Sequence, residues 1–280
     1  MNKIHIIKAN GDKAVFQIEK LIYSLEKAGA NKKVVDDIAE NIERIIYDGM
    51  TTKKIYQIAF KMLKGKSRVS ASKYKLKKAI MELGPSGFPF EKLIGKIMEH
   101  EDFDTEVGVI VQGNCVKHEI DVIAQKDDKH YMIECKYHSD QGRVCNVKIP
   151  LYIQSRFIDV EKQWERQKGH ETKFHQGGVY TNTRFTTDAI QYGKCVGLLL
   201  TSWDYPRGNG LKDRIDQSGL HPLTALTTIT KREKTMLLDT GIVLCKEVHH
   251  NPDLLNQVGI EKSRHKKILE DSEELCKITR

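Results

Sequence analysis

Asp121, Glu134 and Lys136 are the residues of this chain whose types and spacing can do chemistry. Asp121 sits in the β-branched run Glu119-Ile-Asp-Val-Ile-Ala, and Glu134 and Lys136 sit in His130-Tyr-Met-Ile-Glu-Cys-Lys-Tyr137. The polar stretch Gln125 to Lys129 between them reads as a hairpin connection. Alternate side chains of a strand share a face, so Glu134 and Lys136 point the same way, and a short hairpin brings Asp121 beside them. Two carboxylates and a backbone carbonyl suit a hard cation such as Mg²⁺. Such an ion lowers the pKa of a bound water and stabilises charge on a scissile phosphate. Lys136 is then placed to orient that water or neutralise the transition state. The neighbours Ile120, Val122, Ile123, Met132 and Ile133 are apolar, a setting in which charges are buried when paired or coordinating.

These residues must be held by a sheet with helices around it. Over about residues 88 to 205 the chain resembles the PD-(D/E)xK nuclease superfamily, and within it the Mrr-type restriction endonucleases. By that resemblance Phe88-Pro-Phe-Glu-Lys-Leu-Ile-Gly-Lys-Ile-Met98 is similar to the family's first helix, about Val147 to Glu165 is a helix after the three strands, Gly178 to Ala189 is similar to the fourth strand and following helix, and Val196 to Ser202 would be the last core strand. The resemblance implies an Mg²⁺-dependent DNA endonuclease of restriction or defence type. It makes Asp121, Glu134 and Lys136 the catalytic set, adds the carbonyl of Cys135 as a metal ligand and brings in Glu91 from the first helix. The sequence departs from the family at Val116-Lys-His-Glu119, which lacks the Gly-rich approach to the aspartate. It also lacks a clean Gln-x-x-x-Tyr after the lysine, leaving Gln154 or Gln163 for that role. His118, three residues from Asp121 and so on the opposite strand face, reads as structural. Two other readings stand beside the endonuclease: an inactive nucleotide-responsive DNA-binding or assembly module, and a repair or Holliday-junction nuclease on the same fold.

The 280 residues allow about two domains of ordinary size. No apolar run approaches a membrane span, and the charged start Met1 to Lys8 is unlike a signal peptide, so a cytoplasmic protein is expected. The six cysteines form no C-x-x-C pair, which argues against a zinc ribbon or a redox motif. Residues 1 to 83 carry 18 Lys or Arg against 9 Asp or Glu, so the chain's positive excess lies there and favours a polyanionic partner.

That segment opens with two short apolar runs around Asn10-Gly11, a tight-turn signal. Helical spacing follows in Ile18 to Leu25 and Val34 to Ile46. Thr51-Thr52 caps a third helix, and a basic fourth runs from Ala71 to Leu83. Gly65-Lys66-Ser67 is no phosphate-binding loop, because position 60 is Phe60. The order of hairpin, Gly11, Phe16, Lys20, Thr51-Thr52 and Ala71-Ser-Lys-Tyr74 is similar to the ATP-cone, a nucleotide-binding regulatory domain. The resemblance implies ATP or dATP binding through Lys8, Asn10, Gly11, Lys20 and Thr52. Ala9 replaces a second basic residue, which removes one phosphate partner.

The expected organisation is α/β (α+β): a hairpin-plus-helices cone over 1–84, a nuclease domain with a central mixed sheet over 85–210, and a helical segment over 211–280. In the last, Thr230 to Glu233 is a capping box and Gly241 a helix-ending glycine. Leu237 to Lys246 resembles a helix-hairpin-helix, whose loop amides would take a DNA phosphate. Cutting both strands of a duplex with one metal site per chain favours a homo-oligomer.

Overall fold

The protein is described here by a computed structural model covering residues 4–9, 11–170 and 173–277. Its fold is α+β with two mixed sheets.

At the N-terminus, β1 (His5–Ile7) and β2 (Lys13–Val15) pair antiparallel around Gly11, whose φ of 87° is one that glycine adopts without strain. The helices α1 (Ile18–Lys27), α2 (Lys32–Ile45), α3 (Thr52–Lys66), α4 (Arg68–Tyr74) and α5 (Leu76–Met81) follow. Asn31 caps α2 by accepting from the Val34 amide, and Thr51 caps α3 by accepting from the Lys54 amide. The sequence reading lacked β3 (Met50–Thr51), which adds to β1 in parallel. Two residues are too few to show an alternation. The expected helix from Ala71 to Leu83 is two short helices meeting at Lys75. Leu25, Val35, Ile38, Ile42, Ala59 and Leu63 close the core of this unit; burying each larger aliphatic side chain contributes about 1.5–3 kcal/mol.

The second sheet has the order β4 (Asp104–Gln112), β5 (Lys117–Lys126), β6 (Lys129–Lys136), β7 (Phe174–Thr181), β8 (Leu199–Thr201). β4, β5 and β6 are antiparallel neighbours, while β7 and β8 continue in parallel through the crossover helices α7 (Lys148–Trp164) and α8 (Thr187–Cys195). One face packs against α6 (Phe88–His100) through Phe90, Leu93, Ile94 and Ile97. The other packs against α7 through Ile153, Phe157, Val160 and Trp164.

The chain closes with α9 (Leu211–Ser218), α10 (Lys231–Asp239), α11 (Cys245–His250), α12 (Asp253–Gln257) and α13 (Lys262–Cys276). Packing shifts both expected domain boundaries. Leu76, Ile80 and Leu83 lie in the α6 layer of the central domain, and so do Leu211 and Ile215 of α9. The independent C-terminal core begins near Leu223. Arg68 to Asp271 (3.2 Å) and Lys75 to the Thr224 carbonyl (3.0 Å) tie the N-terminal helices to it. Part of the N-terminal positive charge is therefore structural, since Lys75 is buried against Glu82.

Candidate active site

The expected acids and amine meet where pairing between β5 and β6 lapses. The ladder runs from Lys126↔Lys129 to Val122↔Ile133 and stops. Continuing it would give the Cys135 amide to the carbonyl of Ile120; instead that amide donates to Asp121 Oδ2 at 2.6 Å. In an antiparallel pair a residue's N–H and C=O point to the same neighbour. The Cys135 carbonyl therefore faces the same gap as Asp121.

A second irregularity aims Asp121. Ile120 packs with the α7 layer, whereas Val122 and Ala124 pack with the α6 layer. Residues two apart should share a face, so the alternation reverses at Asp121. Across the ladder, Val107↔Val122 and Val109↔Ile120 bracket Gly108, whose φ is 67°. This left-handed residue, open to glycine at little cost, lets both strands turn over together.

Glu134 is buried, and both its oxygens are held by cations. The Lys136 ammonium donates to Oε1, and Arg156 Nη1 of α7 donates to Oε2 at 2.7 Å. Arg156 Nη2 also donates to the Glu119 carbonyl, which fixes the guanidinium across the gap. Glu91, in the first turn of α6, approaches from the other side. Burial raises its carboxyl to about 7, with Asp121, Glu119 and Glu134 adding repulsion. Burial and Glu134 likewise raise Asp121 to about 6, against the pull of the Cys135 amide and Lys136. Carboxylates crowded until they resist ionising are a donor set that a hard divalent cation relieves. The residues present thus fit Mg²⁺, which Asp121, Glu134 and the Cys135 carbonyl would hold, with Glu91 adjacent.

Two residues here were not read from the sequence. Arg156 belongs to a helix whose apolar period announces only its buried face, and nothing in that period singles out an arginine on its flank. Asn182 clamps the segment beyond Lys136, its Oδ1 accepting from the His138 amide at 2.8 Å and its Nδ2 donating to the His138 carbonyl at 2.7 Å. Of the two glutamines considered, Gln163 neighbours Trp164, which stacks on His130 at the opposite end of β6. Gln154 lies two residues before Arg156, and its Oε1 is buried without a hydrogen bond to the described residues. His118 Nε2 meets Asp159 Oδ2 of α7 at 2.8 Å, a structural pairing away from the acids.

Of the nucleotide candidates, Lys8 and Gly11 stand at the β1–β2 turn, where the Gly11 amide donates to the Lys8 carbonyl at 3.0 Å. Lys20 lies in the first turn of α1, and Thr52 opens α3 one residue beyond Thr51, the partner of Ile7. Lys8 and Thr52 each follow the last register pair of β1 and β3, Ile7 with Thr51. Asn10 lies outside the described residues. In the C-terminal hairpin the expected phosphate contact finds no free donors. The Thr240, Gly241 and Ile242 amides donate to carbonyls of α10, and the Val243 and Leu244 amides donate to Glu247 Oε2 at 2.8 Å each. The loop is spent on its own closure.

Residues 221–276 match the family model described as AF1548-like, C-terminal. An uncharacterized protein of Archaeoglobus fulgidus is 34% identical over 183 residues, spanning 65% of this chain and 99% of its own length. The crystal structure of AF1548, a protein of unknown function, aligns with a TM-score of 0.56 at 33% identity, over 68% of this chain and 98% of that one. Among the described residues, no helix is long and apolar enough to cross a membrane.

Proposed function

The chain belongs to the AF1548-like family, and we propose that it is an Mg²⁺-dependent endodeoxyribonuclease of the PD-(D/E)xK kind. The observation that carries this reading is the convergence of Glu91, Asp121, Glu134 and Lys136 at the lapse between β5 and β6. Asp121, Glu134 and the Cys135 carbonyl would hold the ion. When bound, it supplies positive charge to the scissile phosphate and acidifies a coordinated water.

The chain's own groups do the remaining work. Lys136 holds a partly exposed ammonium, anchored on Glu134, toward the attacking water and the phosphate oxygens. Arg156 keeps Glu134 in one orientation and adds a second fixed charge on the substrate side. Water gives a proton to solvent as its oxygen forms the new P–O bond, the sugar oxygen departs with the electron pair of the broken one, and that oxygen takes up a proton from solvent. Glu91 adds a third carboxylate to the water's surroundings.

A cationic rim favours DNA as the substrate. Lys77 lies within electrostatic reach of Arg184 and of Lys212, with Asp204 the opposing acid, and sits over the Trp203 ring at 5.6 Å. Arg184 adjoins the segment that follows Lys136, since its carbonyl accepts from the Cys145 amide and His138 contacts Cys145. These cations border the same end of the sheet as the acids. They would take phosphates without reading bases.

Nucleotide control through Lys8, Gly11, Lys20 and Thr52, restriction or defence as the setting, and pairing of two chains for double-strand cuts belong to the same proposal. The test is cleavage of plasmid by the full chain with Mg²⁺, with and without ATP or dATP, beside Lys8→Ala. Mg²⁺-dependent nicking or linearisation is expected, with a nucleotide effect that Lys8→Ala removes. Tight DNA binding with no cleavage under any nucleotide would favour an inactive binding module.

A further inference from the structure

At the start of β6 a second cluster has chemistry unlike the first. His130 and His175 are register partners on the parallel strands β6 and β7, and His170 approaches from the connection that follows α7. Ring centroids are 5.3 Å apart for His130 and His175, 5.2 Å for His130 and His170, and 5.4 Å for His170 and His175. One ligand nitrogen from each lies within 4.8 Å of the others. His130 is stacked on Trp164 at 4.1 Å, which fixes its plane.

A buried imidazole normally spends its N–H on a partner. Among the described residues His130 Nδ1 has none, and a weak approach to the His170 backbone is all that either nitrogen of His175 has. Unsatisfied, converging nitrogens on rigid strands have a physical use as ligands. Burial disfavours the imidazolium at His130 and His175, so both present the neutral ring that binds metal. Lys173 opposes a cation here, and Glu165 offsets it at His175. A cleft of about 590 Å³, lined by Gln125, Gln167 and the strand β4 as well as by His130 and His170, opens onto the cluster. It offers a route in for the ion and room for a fourth, solvent ligand.

We propose that His130, His170 and His175 form a binding site for an imidazole-preferring divalent transition metal of the Zn²⁺ class. Three nitrogens suit Zn²⁺ in a tetrahedral site with one position left to water. Carboxylate and carbonyl sites such as that at Glu134 prefer Mg²⁺ instead. Bound metal ties the connection after α7 to the first residues of β6 and β7.

The full-length protein, stripped with chelator, is titrated with Co²⁺ and then Zn²⁺. The expected result is one equivalent of Co²⁺ per chain with the visible d–d bands of a tetrahedral nitrogen site, bleached by Zn²⁺. Glu134→Ala, which removes a ligand of the other site, should bind as the wild type does. His170→Ala, on the connection rather than in the sheet, should lose the bands and weaken Zn²⁺ by more than the roughly 10–100-fold that loss of an outer-shell partner costs. His175→Ala should do the same. The metal-free unfolding midpoint of His170→Ala should equal that of the wild type, which separates lost ligation from lost folding. Absence of the bands in the wild type, their survival in both histidine variants, or their loss in Glu134→Ala would overturn the proposal.

Discussion

The two ends of β6 differ in the way their backbone is satisfied, and the difference separates two kinds of site. At the start of the strand, His130 is paired on both sides, with Gln125 of β5 and His175 of β7. The ladder there is complete, so the His130 and His175 rings stand on a rigid base, with His130 Nδ1 lacking a hydrogen-bond partner among the described residues. Four residues on, about 13 Å along the strand, the ladder to β5 has lapsed, and the Asp121 carboxylate takes the backbone donor that the lapse exposes. A broken ladder gathers oxygen donors and opens a gap between strands; an intact one holds nitrogen donors still. The first arrangement suits a reaction, the second a staple.

Breaking the oxygen end should have the largest effect. Asp121→Ala and Lys136→Ala are expected to remove plasmid cleavage to below detection while DNA binding, read by mobility shift, stays measurable. Neither should disturb Co²⁺ binding at the histidines. Arg156→Ala comes next. It removes a charge-assisted hydrogen bond worth about 1.5–3 kcal/mol, so kcat/KM should fall roughly 10- to 100-fold, with Arg156→Lys between the two.

Gly108→Ala tests whether the reversal of strand faces positions Asp121. A left-handed non-glycine residue costs roughly 1–2 kcal/mol, so urea unfolding should show a loss of that size. Cleavage should fall further than the same stability loss causes in the histidine cluster.

The pH dependence of the metal-free protein gives a smaller effect with a definite sign. Glu91 and Asp121 have folded values of about 7 and about 6, above their ordinary carboxylate range. Between the ordinary values and these, the folded state binds more protons than the unfolded one, so stability falls as pH rises. The loss is complete above about 7 and absent below about 4. Unfolding midpoints without metal should therefore drop from pH 5 to pH 8, and Mg²⁺ should raise them more at pH 8 than at pH 5. Asp121→Asn, which can still accept from the Cys135 amide, should flatten the profile and stabilise the metal-free protein at pH 8. The gain should be about 1–2 kcal/mol after allowing for the carboxylate's exposed share.

What was legible in the sequence follows the range over which each signal acts. Asp121, Glu134 and Lys136 lie on adjoining strands, where period-two alternation and a short hairpin are enough to bring them together. The helices beginning near Phe88 and Val147 were placed through the family resemblance and not from a period of their own. Arg156 was not legible, because its partner Glu134 is 22 residues away and on another element. The histidine cluster draws on two strand starts and a connection. His130 and His175 meet only through the parallel register of β6 and β7, and His170 joins them from a connection, a placement that no local pattern of the sequence announces. The face reversal at Asp121 needs two strands to turn together, which Gly108 alone does not announce. The helix-hairpin-helix pattern misled in the opposite direction, since Glu247, three residues past the loop, consumes amides that the pattern would leave for phosphate.

The most direct test of the oxygen end is conversion of supercoiled plasmid by wild type and Glu134→Ala, purified side by side, at pH 8 with Mg²⁺ and again with EDTA. The expected result is nicked or linear DNA from wild type with Mg²⁺ alone, and none from Glu134→Ala. Equal cleavage by both proteins, or cleavage that survives EDTA, would contradict the assignment of hydrolysis to the acids at the end of β6.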